Sequence, residues 1–381
     1  MTNLDITTCY VGDSQVEKIY LGPDIVWQKQ SPGPDLPYSA QPFTIEVMDT
    51  SGGDAINFMK IVPTASSQTA ATNAPDKTLY YTINKPFTPY DTWTENDNPW
   101  KSNGQYVVNV LRSNESITGL SSGDTVRFYT FVENWDNQDY SDLAEVCGPF
   151  GASGSTPTAV PNNVPTNSFG HSTVGCKVYG NIMSLICGEW FEYYEGEESP
   201  ITPATQFQQL PWASSTGSST ARNIFLGLFC TSGSSTNKMN LYDAQNLVLP
   251  QDVMPGCYFR LFGRTEILHS PELPALTVAP NCYCYMYAGC KQITDSPVLP
   301  ASALGVPNSS CYADMFYGCS NLTGVTCLAV SRATVQYTAL WLSGVAAAGT
   351  FYKNPNATFW GSGASEIPSG WTVQDYVYPN N

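Results

Sequence analysis

Between residues 43 and 150 apolar and polar positions alternate in short runs: "FTIEVMD" (43–49), "INFMKIV" (56–62), "TLYYTIN" (78–84), "QYVVNVL" (105–111) and "DTVRFYTFV" (124–132). Alternation with a period of two, broken at short intervals by turn residues such as Gly123-Asp124, predicts a β-sandwich of the immunoglobulin-like kind. An earlier pair of apolar runs lies in "VEKIYLGPDIVWQKQ" (16–30), carrying Val16, Ile19, Tyr20, Leu21, Ile25, Val26 and Trp27 around Gly22-Pro23-Asp24. That pattern predicts a β-hairpin. A lone hairpin is barely stable in water, so this one is expected to dock on another surface.

Beyond residue 168 the pattern becomes self-similar. "CYFRLFGRTEI" from Cys257, "CYCYMYAGCKQI" from Cys282 and "CYADMFYGCSNL" from Cys311 share Cys-Tyr, two variable residues, Leu or Met, and an aromatic. "IFLGLFC" is a weaker first copy, with Phe225, Leu228 and Phe229 in the places of Tyr312, Met315 and Phe316. "LVLP" (247–250), "PELPA" (271–275) and "PVLPA" (297–301) recur between copies, where a short strand is expected. Successive Cys-Tyr pairs stand 25 and 29 residues apart, a period that fits one coil of a leucine-rich-repeat solenoid. The expected core of the coils is Phe225, Phe229, Cys257, Tyr258, Phe262, Cys282, Tyr283, Tyr287, Cys311, Tyr312, Met315, Phe316 and Leu322, with the cysteines as small buried apolar groups.

These repeats, with "KVYGNIMSL" (177–185) before them and "LWLSGVAAAGTFYKNP" and "IPSGWTV" (367–373) after, resemble the BspA-like leucine-rich repeat common in Bacteroidales proteins and their bacteriophages. The resemblance covers residues 178 to 373. "KIYLGPDIVW" is similar to a hairpin motif of virion and tail-associated proteins of gut phages, the crAss-like group included. Together they imply a virion structural protein: a head fibre, tail fibre or capsid decoration displayed on the virion surface, with homotrimeric assembly and host attachment. Capsid or tail proteins on one side and a host surface glycan or protein on the other are the implied partners. The docking residues would be Ile19, Tyr20, Leu21, Ile25, Val26 and Trp27.

Composition agrees with a mainly β chain, since charged residues are 13% of it, against about a quarter in ordinary globular chains, and aromatics are also 13%. A net charge of −16 repels phosphate backbones and anionic bilayers, so neither nucleic acid nor membrane is an expected partner. The first residues lack the basic and apolar segments of a secretory signal. The expected division is an attachment hairpin (1–30), a linker (31–42), the sandwich (43–150), a second linker (151–168) and the repeat domain with its C-terminal cap (169–381).

Catalytic and metal chemistry find little support. The cysteine spacings do not suit zinc, and His171 and His269 are the only imidazoles. A bridge between Cys290 and Cys319 is open, because equivalent positions of adjacent coils come close. "DTSGGD" (49–54) lacks the alternating oxygen ligands of a calcium loop. Trp93, Trp100 and Trp135 read as core plugs or as flat platforms for a sugar ring. Glu192 and Glu195 in "GEWFEYYEGEESP" (188–200) suit a solvated loop or, in a rival reading, glycoside hydrolysis. No catalytic residue, cofactor or metal is expected. The rivals to a virion component are a bacterial surface adhesin with the same repeats and a capsule-degrading hydrolase.

Overall fold

The computed structural model describes residues 10–11, 14–15, 18–21, 24–28, 38, 41–61, 76–85, 101–102, 105–106, 109–129, 150–151, 166–187, 223–230, 238–251, 253–305 and 310–378. Among the described residues the chain is mainly β, with almost no helix. It divides into two compact units, Met1–Pro37 and Tyr38–Asn381. In the first, Tyr10–Val11 pairs antiparallel with Ser14–Gln15, and Lys18–Leu21 with Asp24–Gln28. The latter pair lies where the runs flanking Gly22-Pro23-Asp24 predict a hairpin. Residues 43–150 and 169–381, expected as separate domains, both fall within the second unit.

The reason is a shared sheet. Its strand order is Asn109–Arg112, Thr78–Ile83, Thr125–Tyr129, Thr44–Asp49, Gly175–Asn181 and Asn240–Asp243. Gly175–Asn181 joins the two regions, pairing antiparallel with Thr44–Asp49 on one side and parallel with Asn240–Asp243 on the other. Gly180 makes this approach possible: its φ is +84° and a Cβ there would lie 2.1 Å from the Pro42 carbonyl oxygen. A three-stranded sheet of Glu115–Ile117, Ile56–Ile61 and Thr166–Ser168 contributes Phe58, whose ring lies 5.0 Å from Phe169. Phe169 in turn lies 5.2 Å from Phe128 of the larger sheet, so the two sheets share one aromatic core.

The repeats extend that core. Each copy is a rung in which backbone N–H groups alternate in destination. In the rung at 257–264, Phe259, Leu261 and Gly263 donate to carbonyls three residues back, at Gly256, Tyr258 and Arg260, while Tyr258, Arg260, Phe262 and Arg264 donate to Cys282, Cys284, Met286 and Ala288 of the next rung. The same alternation links Phe225 to Cys257, Tyr283 to Cys311 and Tyr312 to Tyr337. It requires a left-handed residue every fourth position: Asn223 and Gly227; Gly256, Arg260 and Arg264; Asn281, Tyr285 and Gly289; Asp314 and Gly318; Leu340 and Gly344. Two buried faces result, because apolar residues come in adjacent pairs between these points.

Two aromatic ladders therefore climb the rungs. Phe150, Phe225, Tyr258, Tyr283, Tyr312 and Trp341 form one, with centroids 6.1, 6.0, 5.7, 5.8 and 6.4 Å apart. Phe43, Phe229, Phe262, Tyr287 and Phe316 form the other, at 6.0, 5.6, 5.4 and 5.4 Å. Both begin on residues of the 43–150 region, Phe150 and Phe43, so the core runs without a break from that region into the repeats.

The landmark segments behave unevenly. Asp295–Leu299, Gly324–Cys327, Gly349–Lys353 and Trp371–Asp375 make a four-stranded parallel sheet. Leu247–Val248 pairs with Gly175–Asn181. The stretch 271–275, expected to form a strand, has none; Pro271 and Pro274 offer no N–H to a ladder.

Candidate functional site

All thirteen residues expected in the repeat core are at most 2% exposed. They are framework, not site. Cys257, Cys282 and Cys311 are wholly buried at equivalent positions of successive rungs. Cys290 and Cys319 are free thiols, and each donates to a carbonyl of the preceding rung: Cys290 Sγ to Phe262 at 3.0 Å, Cys319 Sγ to Tyr287 at 3.0 Å. Burial pushes the thiols of Cys257, Cys319 and Cys327 up to about 12. Iodoacetamide at pH 8 is accordingly expected to leave the nine buried cysteines unmodified in the folded protein and to label all nine in guanidinium, read by peptide mass spectrometry.

Trp93, Trp100 and Trp135, the expected glycan platform, lie outside the described residues, as does 188–200 with Glu192 and Glu195. For Ile19, Tyr20, Leu21, Ile25, Val26 and Trp27 the strand placement is described. Asp49 of "DTSGGD" spends its carboxylate on the turn itself, accepting from Ser51 N at 2.9 Å and Ser51 Oγ at 2.6 Å. Among the described residues no group of three or more His, Cys, Asp and Glu is placed to hold a metal ion. No helix among them is long and apolar enough to cross a membrane.

The recess that stands out is a groove of about 480 Å³ on the outer side of the rungs at 230, 263, 288 and 318, a size usual for small-molecule sites. Its floor is backbone. A Cβ on Gly318 would meet nothing closer than the Gly289 Cα at 3.9 Å, and one on Gly289 would lie 3.0 Å from the Arg264 Cγ. Tyr285 and Tyr317 stand along it, Tyr317 with 47% of its surface exposed.

Four cations line this groove, Lys238, Arg260, Arg264 and Lys291, out of 16 in the whole chain. Among the described residues of its lining Glu266 is the one carboxylate, and it is committed. Lys238 bonds to it and Gln292 Nε2 approaches at 3.4 Å, so it is held below the usual carboxylate range, chiefly by the Lys238 hydrogen bond. Arg260 lies 5.5 Å from the Phe259 ring centroid and 5.0 Å from that of Tyr285, a cation–π arrangement. Burial there disfavours its charged form. Asp314, behind Tyr285 and hydrogen-bonded to it, is pushed above the usual range by burial.

Sequence reasoning missed this groove because its cations come from the variable positions of three segments. Arg260 and Arg264 occupy left-handed positions, at φ 57° and 60°. In the column of Arg264 the equivalents are Gly289, Gly318 and Gly344. A non-glycine residue at such a φ costs about 1 kcal/mol, so Arg264 sits where the backbone itself favours the glycine that its three equivalents carry.

The chain matches no protein-family model, no curated protein and no solved structure. The resemblance to BspA-like repeats therefore rests on the residues quoted above.

Proposed function

We propose that the protein is a phage virion component, a head or tail fibre or capsid decoration, that docks through its N-terminal hairpin and displays a leucine-rich-repeat solenoid of the BspA-like type for adhesion to the host surface. On this reading residues 43–150 are an immunoglobulin-like sandwich that carries the solenoid, the molecule is a homotrimer on the virion surface, and it performs no catalysis. One observation carries most weight in its support: residues 1–37 form a compact unit apart from 38–381, whose rungs present an open groove. Such a division suits one unit that anchors and another that displays, with many weak contacts on one particle summing by avidity.

Mass spectrometry of purified virions is expected to find the chain at structural stoichiometry. Finding it on the host cell envelope and not in virions would transfer the protein to the bacterial adhesins. Deleting residues 1–30 should leave the melting temperature of the rest unchanged while abolishing incorporation into particles; particles that still carry the truncated protein would refute the docking role.

A further inference from the structure

The rung groove points to a ligand class, an inference that rests on the adhesion reading and sharpens it. We propose that the groove binds a carboxylate-bearing saccharide, such as a run of uronic acids, with Arg264 and Lys291 receiving the carboxylate and Tyr317 stacking on a sugar ring.

Charge is the first argument. A chain with 32 acidic residues against 16 basic ones gathers four of its cations around one recess, where among the described lining residues the one carboxylate, Glu266, is already bound to Lys238, and half-buried Asp314 acts on Arg260 from beside the lining. Neither Arg260, Arg264 nor Lys291 forms an ion pair with a described residue. Arg264 and Lys291 are exposed, so an anion entering the groove can reach both, with Lys291 also acting at longer range on Glu266. A guanidinium can take a carboxylate through two parallel hydrogen bonds, and Lys291 adds a point charge beside it.

Backbone geometry is the second. Glycine relaxes the column of Arg264 in three other rungs, yet this rung carries a long cation whose stem runs over bare Gly289. The missing Cβ atoms of Gly289 and Gly318 leave a shallow floor on which a flat ring can lie.

Ring shape and charge density separate the ligand classes. Exposed Tyr317 offers a planar apolar face, which matches the C–H face of a pyranose. A nucleic acid would bring dense phosphate charge against the −16 of the chain beyond the groove, whereas one carboxylate per ring keeps that repulsion low. A peptide of acidic residues alone, such as triglutamate, carries its carboxylates on flexible stems and has no ring for Tyr317.

The test is calorimetric titration of the full-length protein with trigalacturonate, with its carboxyl-reduced neutral counterpart and with triglutamate. Trigalacturonate is expected to bind, and both controls to bind at least tenfold more weakly. Arg264→Gly, which suits the positive φ and guards against misfolding, and Lys291→Ala should each weaken binding by about tenfold or more. Tyr317→Ala should weaken it too, while Lys353→Ala, outside the groove lining, should not. Equal binding of the neutral sugar or of triglutamate, or an unchanged affinity in Arg264→Gly, would overturn the proposal. Adhesion is read separately, by binding of labelled full-length protein to host cells. Cells bound equally by wild type and Arg264→Gly discard the groove and keep the adhesion reading. Titration that succeeds with no cell binding keeps the groove and discards adhesion.

Discussion

Tyr283→Ala is expected to lower the free energy of unfolding by about 3–5 kcal/mol, the range for truncating a large buried ring. The ring lies in the middle of its ladder, 5.7 Å from Tyr258 and 5.8 Å from Tyr312, with 2% of its surface exposed. No neighbour can collapse into the space, because each rung is pinned to the next by alternate amides at Tyr258, Arg260, Phe262 and Arg264. The loss therefore combines transfer of the ring with a retained cavity and two severed stacking contacts. Tyr283→Phe keeps the ring and should cost far less. Guanidinium denaturation of the two variants checks this; equal losses would show that the ring is not what holds the ladder together.

Arg332→Ala is the second large effect, with an expected cost of about 3–5 kcal/mol, as for breaking one side of a buried ion pair. Its side chain is 5% exposed and it pairs with Glu366, whose side chain is 18% exposed. The guanidinium also donates to Thr338 Oγ1 at 2.7 Å and to the Ser365 carbonyl at 3.3 Å, and it lies 5.0 Å from the Trp360 ring centroid. Removing it strands Glu366 in the closing turn of the array. The double variant Arg332→Met with Glu366→Gln is expected to recover much of the loss, since no charge is then left unpaired. Lys353→Ala gives the scale for an open pair, about 0.2–1 kcal/mol, because Asp375 is 60% exposed. Should Arg332→Ala cost no more than Lys353→Ala, the closing turn is held by its aromatic packing alone.

The core positions of the repeat were legible because Cys, Tyr, Met and Phe recur at fixed offsets, and burial in a stacked array demands that recurrence. The end of the ladder was not. By its backbone bonds Thr338 stands where Tyr312 stands one rung earlier, and Trp341 is the equivalent of Met315. Thr338 is too short to continue the stack, so the Trp341 ring fills the column from three residues further on. Such a substitution of place for place leaves no local signature. The shared sheet was hidden for a related reason: the pairing of Thr44–Asp49 with Gly175–Asn181 spans more than a hundred residues, and the Gly/Ser/Pro-rich stretch at 151–168 reads locally as a boundary. The basic groove escaped because left-handed positions accept Asn, Gly, Arg, Tyr, Asp and Leu alike, leaving no residue code to search for.

The alternation of amides also says how such a chain can change over time. Along each rung the offset to the next is constant, 33 residues from Phe225, 25 from Tyr258, 29 from Tyr283 and 26 from Tyr312. Length differences are thus absorbed between rungs and never within them. Inside a rung the backbone has a parity: one inserted residue would turn every amide meant for a neighbour toward its own turn, and every inward ring outward. Gain or loss of whole rungs keeps the parity, so the height of the array can be adjusted in storeys while the groove-bearing rungs stay untouched.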